Sequence, residues 1–250
     1  MMGSAVVVVD TDDRDTGAGG RARQSTARAW SIRSDGMSPI GDPRSFWPTA
    51  LLGTLLILLV TTLAHVQTPE EIFDQAVADF SAGRVAESAA GFDQVARAQP
   101  ESSPQLWQRG IALYYAGRYE DCRRQFESHL TVNPSDVENA AWHFLCVARA
   151  ESLEAAREAL LPVGPDPRRP MREIYEMFSG RMTPQDVLSA AGGQPRARFY
   201  AHLYRGLYHA AFGRTEAARE EIFLAADDQF AEVGGYMHMV AVVHRNLLGR

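Results

Sequence analysis

The stretch from Leu106 to Pro134, LWQRGIALYYAGRYEDCRRQFESHLTVNP, constrains this chain more than any other. It reads as helix, tight turn, helix, stop. Trp107, Gly110, Ile111, Tyr114 and Tyr115 recur at helical spacing, which puts an apolar, aromatic stripe on one face. Gly117 ends that helix, at a position where glycine reaches a left-handed conformation most cheaply. Cys122, Phe126, His129 and Leu130 line a second helix, which Asn133-Pro134 stops. Neither helix can bury its stripe alone, so the pair requires neighbours of the same kind.

Those neighbours are present. Shifted back by 34 residues, Gly83 stands for Gly117, Arg84 for Arg118, Phe92 for Phe126 and Pro100 for Pro134. Downstream, Gly206 and Gly213 keep the seven-residue spacing of Gly110 and Gly117, and Arg214, Ala218 and Ile222 follow in register. This third copy comes 96 residues after the second, not 102, so the chain between them is irregular. A 34-residue period, with glycine at the helix turn and proline at the unit end, is the signature of tetratricopeptide repeats. It predicts an all-α helical-repeat superhelix over residues 68–250.

The two regions before the repeats differ in kind. Residues 1–45 are rich in Arg, Asp, Gly and Ser, and are too poor in apolar surface to order themselves. From Phe46 to Pro69 there is no Asp, Glu or Arg. The apolar centre, Ala50–Ala64, spans about 22 Å as a helix, short of a hydrocarbon core of roughly 30 Å. Arg44 precedes it and Glu70-Glu71 follow, which places the repeats outside the cytoplasm. Thr62-Leu63-Ala64 offers the small residues of a signal-peptidase site, so residues 46–64 read as a cleaved signal or a short uncleaved anchor. A start at Met37 would give an ordinary signal-peptide layout. Past the anchor, Thr68-Pro69-Glu70-Glu71 carries the cap, first-turn proline and reciprocal acid of a helix start.

Charge excludes some functions. The net charge is −6 and the pI about 5.7, which gives no nucleic-acid footprint. Every basic residue is Arg, and the best local basic run is Arg168-Arg169 with Arg172. A high-GC codon bias accounts for the absence of Lys better than a phosphate site does. The two cysteines, Cys122 and Cys146, make neither a disulfide framework nor a metal site. They lie on successive helices and could meet; two separate buried thiols are the favoured expectation.

Residues Arg109–Tyr119, RGIALYYAGRY, resemble the second repeat of NlpI-type tetratricopeptide lipoproteins of the bacterial envelope. The resemblance runs through Trp142 and Arg172-Glu173-Ile174-Tyr175-Glu176 to Gly180, and resumes at FYAHLYRGLYHAAFGRTEAA from Phe199. It implies a homodimeric adaptor that links a periplasmic protease to peptidoglycan hydrolases. One departure stands out: no cysteine lies just after the apolar run, the nearest being Cys122 within a repeat, so neither lipid anchoring nor an outer-membrane location is implied here.

No catalytic constellation emerges. The histidines sit at helical positions among apolar neighbours without the i,i+4 pairing and carboxylate of a metal site, and no G-x-S-x-G is present. No cofactor is expected. Binding is the more natural use of this chain. In stacked repeats the first helices line a concave groove, so Trp107, Ile111, Tyr114 and Tyr115 are the candidate partner contacts. The rival use of Trp107 and Tyr114 is packing between repeats. The expected role is a non-catalytic adaptor in the periplasm, or one anchored in the cell membrane through residues 46–64. Its partners are proteins rather than nucleic acid. The alternative is a membrane-tethered structural subunit of an envelope complex.

Overall fold

In a computed structural model of the chain, residues 67–249 are described. The tract 1–45, the Met37 start and the apolar segment 46–64 lie outside them. Among the described residues no helix is long and apolar enough to cross a membrane.

The described chain is all-helical. The α-helices are α1 Pro69–Ser81, α2 Val85–Ala98, α3 Trp107–Tyr115, α4 Tyr119–Leu130, α5 Val137–Ala150, α6 Leu153–Glu158, α7 Met171–Phe178, α8 Pro184–Ala191, α9 Pro195–Ala211, α10 Thr215–Ala225 and α11 Ala231–Leu248. Short 3-10 segments at Pro100–Gln105 and Asp228–Phe230 lead into α3 and α11. Consecutive helices pack pairwise, α1 on α2, α3 on α4 and α9 on α10; α2 meets α3, α4 meets α5, and α5 meets α9. One continuous core results.

The helix boundaries follow from local chemistry. Thr68 and Glu71 close a reciprocal capping box at α1, with Pro69 in the first turn. Thr183, Pro184 and Asp186 repeat the device at α8. Asp136 caps α5 by accepting from the Glu138 N–H. Gly83, Gly117 and Gly213 sit at φ 73°, 74° and 68°. After each comes an arginine whose N–H reaches back five residues: Arg84 to Asp79, Arg118 to Leu113 and Arg214 to His209, each at 2.9 Å. This satisfies a last-turn carbonyl and reverses the chain within three residues. The turn is the same in all three hairpins, as the repeated glycines require.

The other repeated glycine serves close approach. A Cβ on Gly110 would stand 2.6–3.1 Å from three ring atoms of Phe126, and one on Gly206 would stand 2.7 Å from Ile222. Phe126 and Ile222 are thereby drawn into the core from the second helix of their pairs, and Phe92 of the first pair is buried likewise opposite Phe73. The α5–α6 pair lacks a turn glycine and ends α5 at Glu151 in an irregular conformation, φ −127° and ψ −85°. The segment after α6 has no helix until Met171, as its prolines dictate.

The expectation of two separate thiols is corrected: Cys122 and Cys146 form a disulfide, with Cα atoms 5.9 Å apart. The cause is the packing of α4 on α5. Trp142 stacks on Phe126 at 6.5 Å, and each cysteine lies four residues from its ring, on the facing side. Both cysteines are fully buried.

Candidate functional site

The four candidate groove residues lie on α3, and Trp107, Tyr114 and Tyr115 meet residues of α1, α5 and α11. Ile111 is buried in the core, at 1% exposure. Trp107, Tyr114 and Tyr115 keep partial exposure, but their rings are engaged within the chain. Tyr114 packs edge-on against Trp142 at 5.5 Å and against Tyr119 at 5.8 Å. Tyr115 meets Phe80 of α1 at 5.5 Å and Trp142 at 6.2 Å.

The remaining contacts come from α11, the last helix of the described chain. Gly234 and Gly235 explain how it reaches this face. A Cβ on Gly234 would stand 2.9 Å from the Phe199 ring and 2.8 Å from the His238 Cβ, so α11 begins in close contact with α9. Gly235, at φ 50° and ψ −129°, then breaks the helix and re-aims it. Tyr236 enters between Phe80, stacked at 6.2 Å, and Trp107, edge-on at 4.9 Å. Two turns later His244 sits on Tyr115, and its Nδ1 shares a 2.8 Å hydrogen bond with the tyrosine hydroxyl. The aromatic face of α1 and α3 thus holds a helix of the same chain.

Burial sets the electrostatics of this face. It pushes the Tyr115 and Tyr236 hydroxyls well up, with Tyr114 adding to the effect at Tyr115. It takes Tyr114 to about 12 against the opposing pull of Arg149. The same burial holds His244 neutral, lowering it to about 4. None of these groups is poised for proton transfer near neutral pH. The face is suited to gripping an apolar, aromatic helix.

A second polar constellation lies where the proline-rich segment meets α5 and α9. Arg168 reaches Glu138 at 2.6 Å, Asp136 at 2.7 Å and Asp166 at 2.7 Å. Tyr204 donates to the other oxygen of Glu138 at 2.5 Å. Burial raises the Glu138 carboxyl despite the nearby Arg168. This arrangement pins the irregular segment to the N-terminus of α5. It also answers the basic run noted in the sequence, because Arg168 is neutralised three times over and Arg169 donates to the Ala190 carbonyl. Among the described residues no group of three or more His, Cys, Asp or Glu side chains is placed to hold a metal ion. His129 bonds the Pro104 carbonyl at 2.8 Å, His202 bonds Glu221 at 2.8 Å and His238 bonds the Asp227 carbonyl at 3.1 Å.

Of the repeat landmarks, Gly83, Gly117 and Gly213 end helices; Gly110 and Gly206 admit a neighbouring side chain; Phe92 and Phe126 are core; Pro100 and Pro134 follow α2 and α4. The Tyr236–His244 contacts were not legible beforehand, although the Gly234-Gly235 pair inside an apolar run was the available signal. A scan against protein-family models finds no match, and a search of curated proteins finds none either.

Proposed function

We propose that this chain is a non-catalytic tetratricopeptide-type adaptor that binds helical segments of protein partners outside the cytoplasm. The observation that carries the reading is the seating of α11. Phe80, Trp107 and Tyr115 form a face that grips Tyr236 and His244 of a helix. A partner helix would take the place of α11 on this face, held by the same aromatic anchors, which are common binding hot spots. Equivalent glycine turns in three hairpins, and a close-approach glycine at the same position in two of them, support the repeat assignment. They also support the resemblance to NlpI-type envelope proteins, which suggests a protease and cell-wall hydrolases as the partner class. Export has support from two sides: the apolar run before the repeats, and the Cys122–Cys146 disulfide, a bond that persists in oxidising compartments.

The experiment replaces Trp107 and Tyr115 separately by alanine and follows unfolding and partner capture in parallel. Removing a binding anchor costs roughly 2 kcal/mol or more of affinity, about 30-fold, while the fold survives. Removing a ring that serves only the core costs roughly 3–5 kcal/mol of stability. Lost capture with an intact fold supports the adaptor. Intact capture together with an intact fold removes this face from the binding surface.

A further inference from the structure

The second hairpin contains a carboxylate clamp. Asp93, delivered by the preceding helix α2, accepts from Arg109 Nε at 2.8 Å and from Arg118 Nη1 at 2.5 Å. Arg109 spends its remaining donor on Gln125 at 2.7 Å. Two arginines nine residues apart on one hairpin thus hold one acid brought by a neighbouring helix.

The last hairpin repeats the clamp without the acid. Arg205 and Arg214 stand in the same positions relative to Gly206 and Gly213 as Arg109 and Arg118 to Gly110 and Gly117. The backbone agrees: Arg118 has φ −92° and ψ 63°, and Arg214 has φ −88° and ψ 70°. Glu221 takes the place of Gln125, accepting from Arg205 at 2.9 Å, and its other oxygen is used by His202. Ser189 stands at the repeat position of Asp93, and among the described residues no second acid pairs with Arg205 or Arg214. Arg205 is 9% exposed, yet its Nε and Nη1 have no hydrogen-bond partner. A buried guanidinium with idle donors is costly. Arg214 is exposed and rests on the Phe212 ring at 5.3 Å, opposite Arg157 at 5.2 Å. Among the described residues it makes no ion pair. Arg157 and Arg214 thus meet on one ring at this end of the hairpin, and the acid that pairs with the buried Arg205 is Glu221. Burial first, then the nearby Arg214 and Arg205, lower the pKa of His209.

We infer that the α9–α10 hairpin is a docking surface for a partner helix that brings an Asp or Glu to Arg205 and Arg214, as α2 brings Asp93 to Arg109 and Arg118. Exposed Arg214 is the first contact, and Arg205 supplies the idle donors once its side chain turns outward. The inference rests on the adaptor reading and gives the partner a chemistry: an amphipathic helix with an acid at the α2 position of Asp93.

The test uses the full chain and two fluorescein-labelled peptides, one with the Val85–Ala98 sequence VAESAAGFDQVARA and one with Asp93→Asn within it. Anisotropy titrations should show the acidic peptide binding about tenfold more tightly, the scale of one charge-assisted contact. Arg214→Gln should remove most of that difference, and Arg205→Gln with Arg214→Gln should remove all of it. Arg214→Gln alters only an exposed side chain, so its result stands even where the double variant unfolds. Equal binding of the two peptides, binding of neither, or a difference that survives both variants overturns the inference. Capture of envelope partners separates the two levels. A double variant that keeps every partner of the wild type overturns this site and leaves the adaptor standing. A wild-type chain that captures nothing overturns the adaptor itself.

Discussion

Gly110→Ala tests how the hairpins are built. The new methyl would meet the Phe126 ring at 2.6, 2.7 and 3.1 Å, well inside contact distance. Phe126 cannot retreat, because it is 1% exposed and stacked against Trp142. Alanine favours a helix interior over glycine by about 1 kcal/mol. Overpacking of a dense core costs roughly 1–3 kcal/mol, and three ring contacts this short put the site at the upper end. The net is about 2 kcal/mol of destabilisation. For a helical unit of this size that corresponds to a drop of roughly 4–8 °C in Tm. Thermal denaturation followed by far-UV circular dichroism measures it. The double substitution Gly110→Ala with Phe126→Leu should cost less than the sum of its parts, because the smaller side chain makes room for the methyl. An unchanged or raised Tm for Gly110→Ala, or strict additivity of the pair, would refute the reasoning.

Three further expectations follow from particular residues. Thiol counting of the unreduced chain in denaturant should find no free thiol, and reduction should remove about 3 kcal/mol of stability, given a disulfide spanning 24 residues; two free thiols would contradict the pairing. His244 should make stability fall with acid, because its folded value of about 4 lies below the ordinary 6.5. The unfolded chain then binds a proton that the folded chain refuses, so stability present above pH 6.5 drains as pH falls towards 4, by about 2 kcal/mol at pH 5. The same pH series on His244→Gln should lack that part of the slope. N-terminal sequencing of the native protein should place the mature end near His65; a chain that still holds Ala50–Leu63 would show an uncleaved anchor.

Much of the hairpin architecture is legible in the residues because its determinants are local. A glycine that must adopt positive φ, a threonine three residues before a carboxylate and a proline that cannot continue a helix each act within a few positions. The α1 capping box and the turns at Gly83, Gly117 and Gly213 are of this kind. Long-range outcomes were harder to read. Cys122 and Cys146 occupy small-residue positions, and whether they pair depends on the offset of α4 against α5, which the Trp142–Phe126 stack decides. The aromatic face was visible as Trp107, Tyr114 and Tyr115, but its occupant was not. Tyr236 and His244 come from more than a hundred residues away, and only the break at Gly235 brings them in. The Arg168 constellation is non-local in two of its three acids, since Glu138 and Asp136 lie 30 and 32 residues upstream while Asp166 is a near neighbour.

The most direct measurement of the central claim is crosslinking in intact cells, followed by capture of the full chain and quantitative mass spectrometry. The adaptor account predicts a small set of envelope proteins, enriched reproducibly with the wild-type chain and diminished for Trp107→Ala. Recovery of cytoplasmic proteins alone, or the same background with and without the chain, would contradict it.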